Sequence, residues 1–277
     1  MAAKKGDTAL QAFLKAEINS VSRERIFHNK LFFDLKLAAA RRGYHLSIFE
    51  PEVDRDAFDI LLDDGDNERR IQVKTVLARS TTMNWNSTKR FMRPTLIYGG
   101  RLGMAPAGCG SGGGFLLMEI DDSSAEAPVA YFYTDYFVAT ALDMHLLRET
   151  TAPVRQRRGR KKDSRQETAS RFLRNLAHGN AGDRIRLPLP LFVRLKSPDC
   201  LLALMNLHST TGCYLPSDMI LKALHNRFEV DAQDNPPQNA DLPTIRVFEN
   251  HMQDILELLD EPDLTIFSTP PRKSGNN

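Results

Sequence analysis

Residues 48–75, IFEPEVDRDAFDILLDDGDNERRIQVKT, decide how the rest of the chain is read. Two runs within this stretch, Ala57 to Asp63 and Arg70 to Thr75, are rich in Ile, Leu and Val, and Asp63, Asp64, Gly65, Asp66 and Asn67 between them are turn formers. That pattern predicts a β-hairpin. Side chains alternate across a strand with period two, so Arg70, Gln72 and Lys74 share one face and Ile71, Val73 and Thr75 the other. Ile71 and Val73 read as core-directed, which turns an amide and an ammonium together toward something polar. On the first strand Asp59 stands between Phe58 and Ile60, where a carboxylate without a partner is costly to bury. Antiparallel pairing brings Asp59 across from Gln72 and Lys74.

A carboxylate, a second oxygen ligand and a lysine on adjacent strands suit metal-assisted phosphodiester hydrolysis. The carboxylate and the amide oxygen can hold a hard cation such as Mg2+, which takes oxygen ligands and keeps several waters. Such a cation lowers the pKa of a water and neutralises phosphate charge, while the lysine orients the nucleophile or stabilises the transition state.

Asp59, a hairpin's length of chain, and then Gln72-Val73-Lys74 resembles the Asp…(Asp/Glu)-X-Lys signature of the PD-(D/E)XK nuclease superfamily, in its Gln-X-Lys variant. The flank Pro51-Glu52-Val53-Asp54…Phe58-Asp59-Ile60 and the continuation Lys74-Thr75 are similar to members related to archaeal Holliday-junction resolvases and restriction enzymes. The resemblance covers residues 22–80 and extends more weakly to 145. It implies an α/β fold with a mixed β-sheet flanked by helices, DNA as substrate, Mg2+ or Mn2+ held by Asp59 and Gln72, and catalysis by Asp59, Gln72 and Lys74. The alternative is a catalytically inactive DNA-binding protein of the same fold.

The element before the hairpin agrees with the resemblance. Ile26 to Arg42 carries Leu31, Leu35, Ala38 and Ala39 at helical spacing, and Arg41, Arg42 and Gly43 supply a basic last turn and a stop. His45 to Phe49 reads as a strand, giving the order helix, strand, strand, strand with which the superfamily core begins. Many members also carry a metal-binding glutamate on that helix. At the usual spacing this chain offers Phe32, with Asn29 and His28 one turn earlier, Glu24 further back and Asp34 on a different face. The acidic helix ligand is therefore absent, replaced by Asn29, or supplied by Glu24. Glu50, Asp54 and Asp56 either reinforce the site or form a solvated acidic loop.

With 42% hydrophobic and 26% charged residues, the 277-residue chain can bury a sizeable core as one large or two modest domains. Its start, MAAKKGDTALQAF, is polar and amphipathic, and no apolar run approaches membrane-spanning length, so a cytoplasmic or nucleoid-associated protein is expected. Cys109, Cys200 and Cys213 are scattered and indicate neither a disulfide framework nor a zinc site.

The net charge of +2 is close to neutral, but its distribution is uneven. Arg79, Lys89, Arg90 and Arg93 lie near Trp85, Phe91 and Tyr98, a mixture that suits nucleic-acid backbone and exposed bases. The competing reading is a polar connection in which Trp85 anchors the core. Residues 154–174, VRQRRGRKKDSRQETASRFLR, contain Arg157, Arg158, Arg160, Lys161 and Lys162 against only Asp163 and Glu167. Such a cluster binds DNA phosphates by counterion release; a solvated linker is the other reading.

AGCGSGGG at 107–114 has G-x-G-x-x-G spacing, but a strand rather than a helix follows, so it reads as a flexible loop and not a dinucleotide fingerprint. Strands are expected at Phe115–Ile120 and Val129–Tyr133, with Asp135 capping a helix through Val138 and Leu142. The expected organisation is a nuclease-like domain over 1–150, a basic linker over 151–185, and a mainly helical C-terminal region over 186–277 with a disordered tail from Ser268. The C-terminal helices, including those starting at Pro198 and Pro216, read as a substrate-specificity or oligomerisation module, compatible with a homodimer.

Overall fold

A computed structural model of the chain describes residues 7–51, 57–150, 163–179, 182–207 and 242–266, with 242–245 described by backbone alone. The first helix, α1 (Ala9–Lys15), starts at a reciprocal cap between Thr8 and Gln11. It ends earlier than the expected Ile18, where the chain extends at Ala16. The long helix α2 (Ser20–Arg41) buries Phe27, Leu31, Leu35, Ala38 and Ala39 along one stripe. Gly43, at φ +79°, then adopts the left-handed conformation that reverses the chain.

Strands β1 (Ser47–Phe49), β2 (Ile60–Asp63) and β3 (Glu68–Leu77) form an antiparallel meander. The acidic turn between β2 and β3 is held by its own side chains. Asp63 accepts the Gly65 amide at 2.8 Å, and Asp64 accepts those of Asp66 and Asn67 at 2.9 and 2.7 Å. A crossover containing β4 (Asn84–Thr88), α3 (Lys89–Met92) and α4 (Leu96–Arg101) leads to β5 (Gly114–Ile120), which runs parallel to β3. There follow β6 (Val129–Thr134), α5 (Tyr136–Asp143), β7 (Leu147–Glu149), α6 (Arg165–Ala177), β8 (Arg184–Pro188), β9 (Val193–Leu195), α7 (Pro198–Leu204), α8 (Leu242–Glu257) and β10 (Leu264–Ile266).

The protein is α/β, with a mixed six-stranded sheet in the order β1-β2-β3-β5-β6-β9 and helices against it. Two separate ribbons, β4–β8 and β7–β10, complete the strand pairing. No helix among the described residues is long and apolar enough to cross a membrane.

The register shows what covers each face. Thr75 pairs with Met118 and Met118 with Tyr131, so the three side chains share the face of Ile71 and Val73. Tyr131 donates from its hydroxyl to Asp34 of α2 at 2.5 Å, which places α2 over that face. On the other face Gln72 pairs with Phe115, whose ring meets that of Phe91 from α3 edge-on at 5.6 Å. The central strand β5 is accordingly buried from Phe115 through Met118.

Two expectations change. Residues 107–114 are not a flexible loop but a strap laid along α3. The amides of Gly110, Ser111, Gly112 and Gly113 donate to the carbonyls of Pro94, Arg90, Arg93 and Phe91 at 2.7 to 2.8 Å. A Cβ on Gly110 would overlap the Arg90 carbonyl, and one on Gly113 the Phe91 ring, so glycine here permits close approach.

The boundaries expected at 150 and 185 do not separate independent cores among the described residues. Within the stretch read as a linker, α6 opens on a Ser164–Glu167 capping box and buries Ala169, Phe172 and Leu176. Strand β9, from the region read as mainly helical, is the sixth strand of the same sheet. The buried apolar residues form one cluster from Leu14 to Ile266.

Candidate active site on the β2–β3 hairpin

Ile60 and Ile71 are register partners and fully buried, so strand alternation turns Asp59 to the Gln72 face. The Asp59 amide donates to the Ile71 carbonyl at 2.9 Å, and its carboxylate accepts the Val73 amide at 2.7 Å. The β2 ladder stops at Ile60, and the Asp59 carboxylate takes the place of the next ladder acceptor. The expected meeting of Asp59 with the Gln72–Lys74 segment is thus present at the backbone of the residue between them.

Gln72 is half-buried, and its Oε1 is buried without a hydrogen-bond partner. An unsatisfied buried acceptor costs about 1–3 kcal/mol and calls for an explanation. Lys74, two residues on and also half-buried, makes no hydrogen bond or ion pair with a described residue. Val73, between them, is 6% exposed and anchors the strand in the core. Arg70 continues the polar face and lies over the Phe58 ring, 6.0 Å from its centroid.

A carboxylate, an orphaned amide oxygen and an ammonium therefore share one sheet face. The two oxygen donors fit a divalent cation that retains waters and also takes phosphate oxygens. The donor set is sparse: among the described residues no group of three or more His, Cys, Asp or Glu assembles to hold a metal. Asp54 and Asp56 lie outside the described residues.

The helix candidates lie elsewhere. Glu24 and Asn29 are exposed on α2, the helix covering the opposite face, in a groove with Arg25, His28 and Glu50. Glu50 is 3.4 Å from both Arg25 and His28. Asp34 is engaged by Tyr131 and by Lys30 at 2.6 Å, while Phe32 lies beside the His28 ring.

The basic residues divide by role. Lys89 donates to the His178 carbonyl at 2.5 Å and lies 3.7 Å from Asp183, fastening β4 to the end of α6. Arg93 is buried, at 2% exposure, and its guanidinium reaches the carbonyls of Leu176, Ala107, Ala177 and Gly179. It closes the C-terminus of α6 and is unavailable to a ligand. Arg79 and Arg90 are exposed. Trp85 packs edge-on against Phe192 at 5.2 Å, as the core-anchor reading expects. Arg157, Arg158, Arg160, Lys161 and Lys162 lie outside the described residues.

Sequence reasoning passed over Arg184 and Arg186, whose alternation with Ile185 and Leu187 was a readable signal for a two-faced strand. It identified Asp135 as the cap of α5 but not the Tyr133 hydroxyl that donates to the same carboxylate at 3.1 Å. Burial holds the Asp135 carboxyl above its ordinary pKa, opposed by the Val138 amide it accepts and by the Arg69 charge. Comparison with known proteins finds no matching family model, no matching curated protein and no matching solved structure.

Proposed function

We propose that the chain is a metal-dependent nuclease that hydrolyses DNA phosphodiester bonds at the Asp59, Gln72 and Lys74 face of the hairpin. The observation that carries this reading is the orphaned, buried Gln72 oxygen on the same sheet face as Asp59 and the uncommitted Lys74. The order α2-β1-β2-β3 adds support to the PD-(D/E)XK resemblance.

In this reading Asp59 and Gln72 hold Mg2+ or Mn2+, which when bound neutralises phosphate charge and makes a water more acidic. Asp59 has a fixed orientation because its carboxylate is tied to the Val73 amide. Gln72 contributes a neutral oxygen, so cation affinity is modest compared with a two-carboxylate site. Lys74 brings a positive charge to the same face, where it offsets charge developing on the phosphate. A cytoplasmic setting belongs to the proposal, in keeping with the free thiols of Cys109 and Cys200.

A specific observation favours a second reading, that of a catalytically inactive DNA-binding protein with this fold: Asp59 is the one carboxylate found with Gln72 and Lys74 among the described residues. Incubation of supercoiled DNA with the protein in Mg2+, Mn2+ or EDTA separates the two. Nicked or linear products that require the metal support the nuclease. Binding without cutting under all conditions supports the second reading, and neither binding nor cutting removes both.

A further inference from the structure

The β4–β8 ribbon has two chemically distinct faces. Its register pairs Trp85 with Leu187, Asn86 with Arg186, Ser87 with Ile185 and Thr88 with Arg184. Ser87, Ile185 and Leu187 are buried, and Trp85 packs on Phe192, so this alternation faces the core. The other side presents Asn84, Asn86 and Thr88 beside Arg184 and Arg186. Asn86, Arg184 and Arg186 are exposed and make no hydrogen bond or ion pair with a described residue. Arg90, just beyond Thr88 in α3, is exposed and likewise uncommitted.

Neither strand contains an acid, and the adjoining Asp183 is engaged by Lys89. The face is therefore cationic, rich in amide and guanidinium groups, and rigidly backed. Lys89 ties one end of the ribbon to the His178 carbonyl, and the core holds its inner face. The ribbon is also on the hairpin-site side of the sheet. Thr88 leads directly into α3, whose Phe91 packs on Phe115, the register partner of Gln72.

A two-stranded ribbon fits the major groove of B-form DNA, which is about 12 Å wide. Side chains at alternate positions of one strand are about 6.8 Å apart, close to two base-pair steps of about 3.4 Å each. Arginine can grip phosphate or the O6 and N7 edge of guanine with two donors, and asparagine can do the same for adenine. The deep, narrow major groove of duplex RNA does not admit such side chains.

We propose that the outward face of the β4–β8 ribbon, formed by Asn86, Arg184 and Arg186 with Arg90 at its end, docks in the major groove of duplex DNA. The inference rests on the DNA reading above and specifies duplex over single-stranded DNA and RNA. It does not depend on whether the hairpin cuts.

The test is fluorescence anisotropy in EDTA, with the full chain and a labelled DNA duplex, one of its single strands, and an RNA duplex of the same sequence. The wild type should prefer the DNA duplex. Arg184→Ala together with Arg186→Ala should weaken duplex binding about tenfold or more, at roughly 1–3 kcal/mol per good arginine contact. Single-strand binding should change far less, and thermal unfolding should match the wild type. Unchanged duplex affinity in the double variant overturns the inference, as does a preference for single strands or RNA, or no binding to any probe. Cleavage that depends on Lys74 alongside unchanged duplex affinity would remove the ribbon and leave the nuclease. Arginine-dependent duplex binding by a wild type that never cuts would do the opposite.

Discussion

The Asp59 carboxylate accepts the Val73 amide at 2.7 Å, so the residue between Gln72 and Lys74 is fixed to the start of β2. One carboxylate thus extends the strand ladder and faces the proposed metal site, and these roles are separable. Asp59→Ala strands the Val73 amide and should cost about 1–3 kcal/mol of stability. Asp59→Asn retains an acceptor oxygen and should stay within about 0.5 kcal/mol of wild type. Urea denaturation of the three proteins checks this. Equal losses in both variants would mean that the Val73 bond depends on the charge.

Gln72 should show a conflict between stability and function. Gln72→Met removes the orphaned oxygen, so the metal-free protein should gain about 1 kcal/mol. The same change should abolish any Mg2+-induced rise in melting temperature. Gln72→Glu should do the reverse, melting lower without metal because a partly buried charge is added, and gaining more than wild type from Mg2+. Differential scanning calorimetry with and without Mg2+ gives both values for each protein. A Met variant less stable than wild type would mean that the Gln72 amide has a structural partner.

Asp135 should control part of the pH dependence of folding. Burial raises its carboxyl pKa in the folded state. A raised folded pKa gives stability that is present below the unfolded value, near 3.9, and is lost as pH rises through the folded one. Stability should therefore fall as pH climbs out of the acidic range. Asp135→Asn keeps an oxygen for the Val138 amide and the Tyr133 hydroxyl but cannot titrate, so its profile should be flatter. Some slope should remain, because burial raises the Asp143 carboxyl in the same direction. Denaturation midpoints across pH test the difference, and superposable profiles would contradict it.

The strap and the buried arginine should be the most sensitive positions outside the hairpin. Gly110→Ala or Gly113→Ala forces a methyl against the Arg90 carbonyl or the Phe91 ring and should cost about 1–3 kcal/mol. Arg93→Met removes donors from carbonyls at the end of α6 and should cost about 3 kcal/mol. Thermal denaturation provides the measurement. A neutral effect at Gly110 would mean that the strap can move away from α3.

These same residues show what the sequence made legible. The hairpin could be read because its signals are local: period-two alternation through Ile71 and Val73, and Asp and Gly in the turn. The apolar stripe of α2 and the cap at Asp135 could be read for the same reason. Arg93 could not, because the Leu176 carbonyl it serves is 83 positions away. The glycine strap reads as flexible until Arg90 and Phe91 are known to lie against it. In α6, the charge density of 154–174 hid the stripe of Ala169, Phe172 and Leu176. The pairing of β9 with β6 joins residues about sixty positions apart and has no local signature.

The most direct test of the central claim is nicking of supercoiled DNA in Mg2+ by wild type beside Asp59→Asn and Lys74→Ala, with folding and DNA binding measured on the same samples. The account predicts cutting by wild type that EDTA abolishes, and a loss of at least about a hundredfold in both folded, DNA-binding variants. Undiminished cutting by either variant would contradict the assignment of the site to this hairpin face.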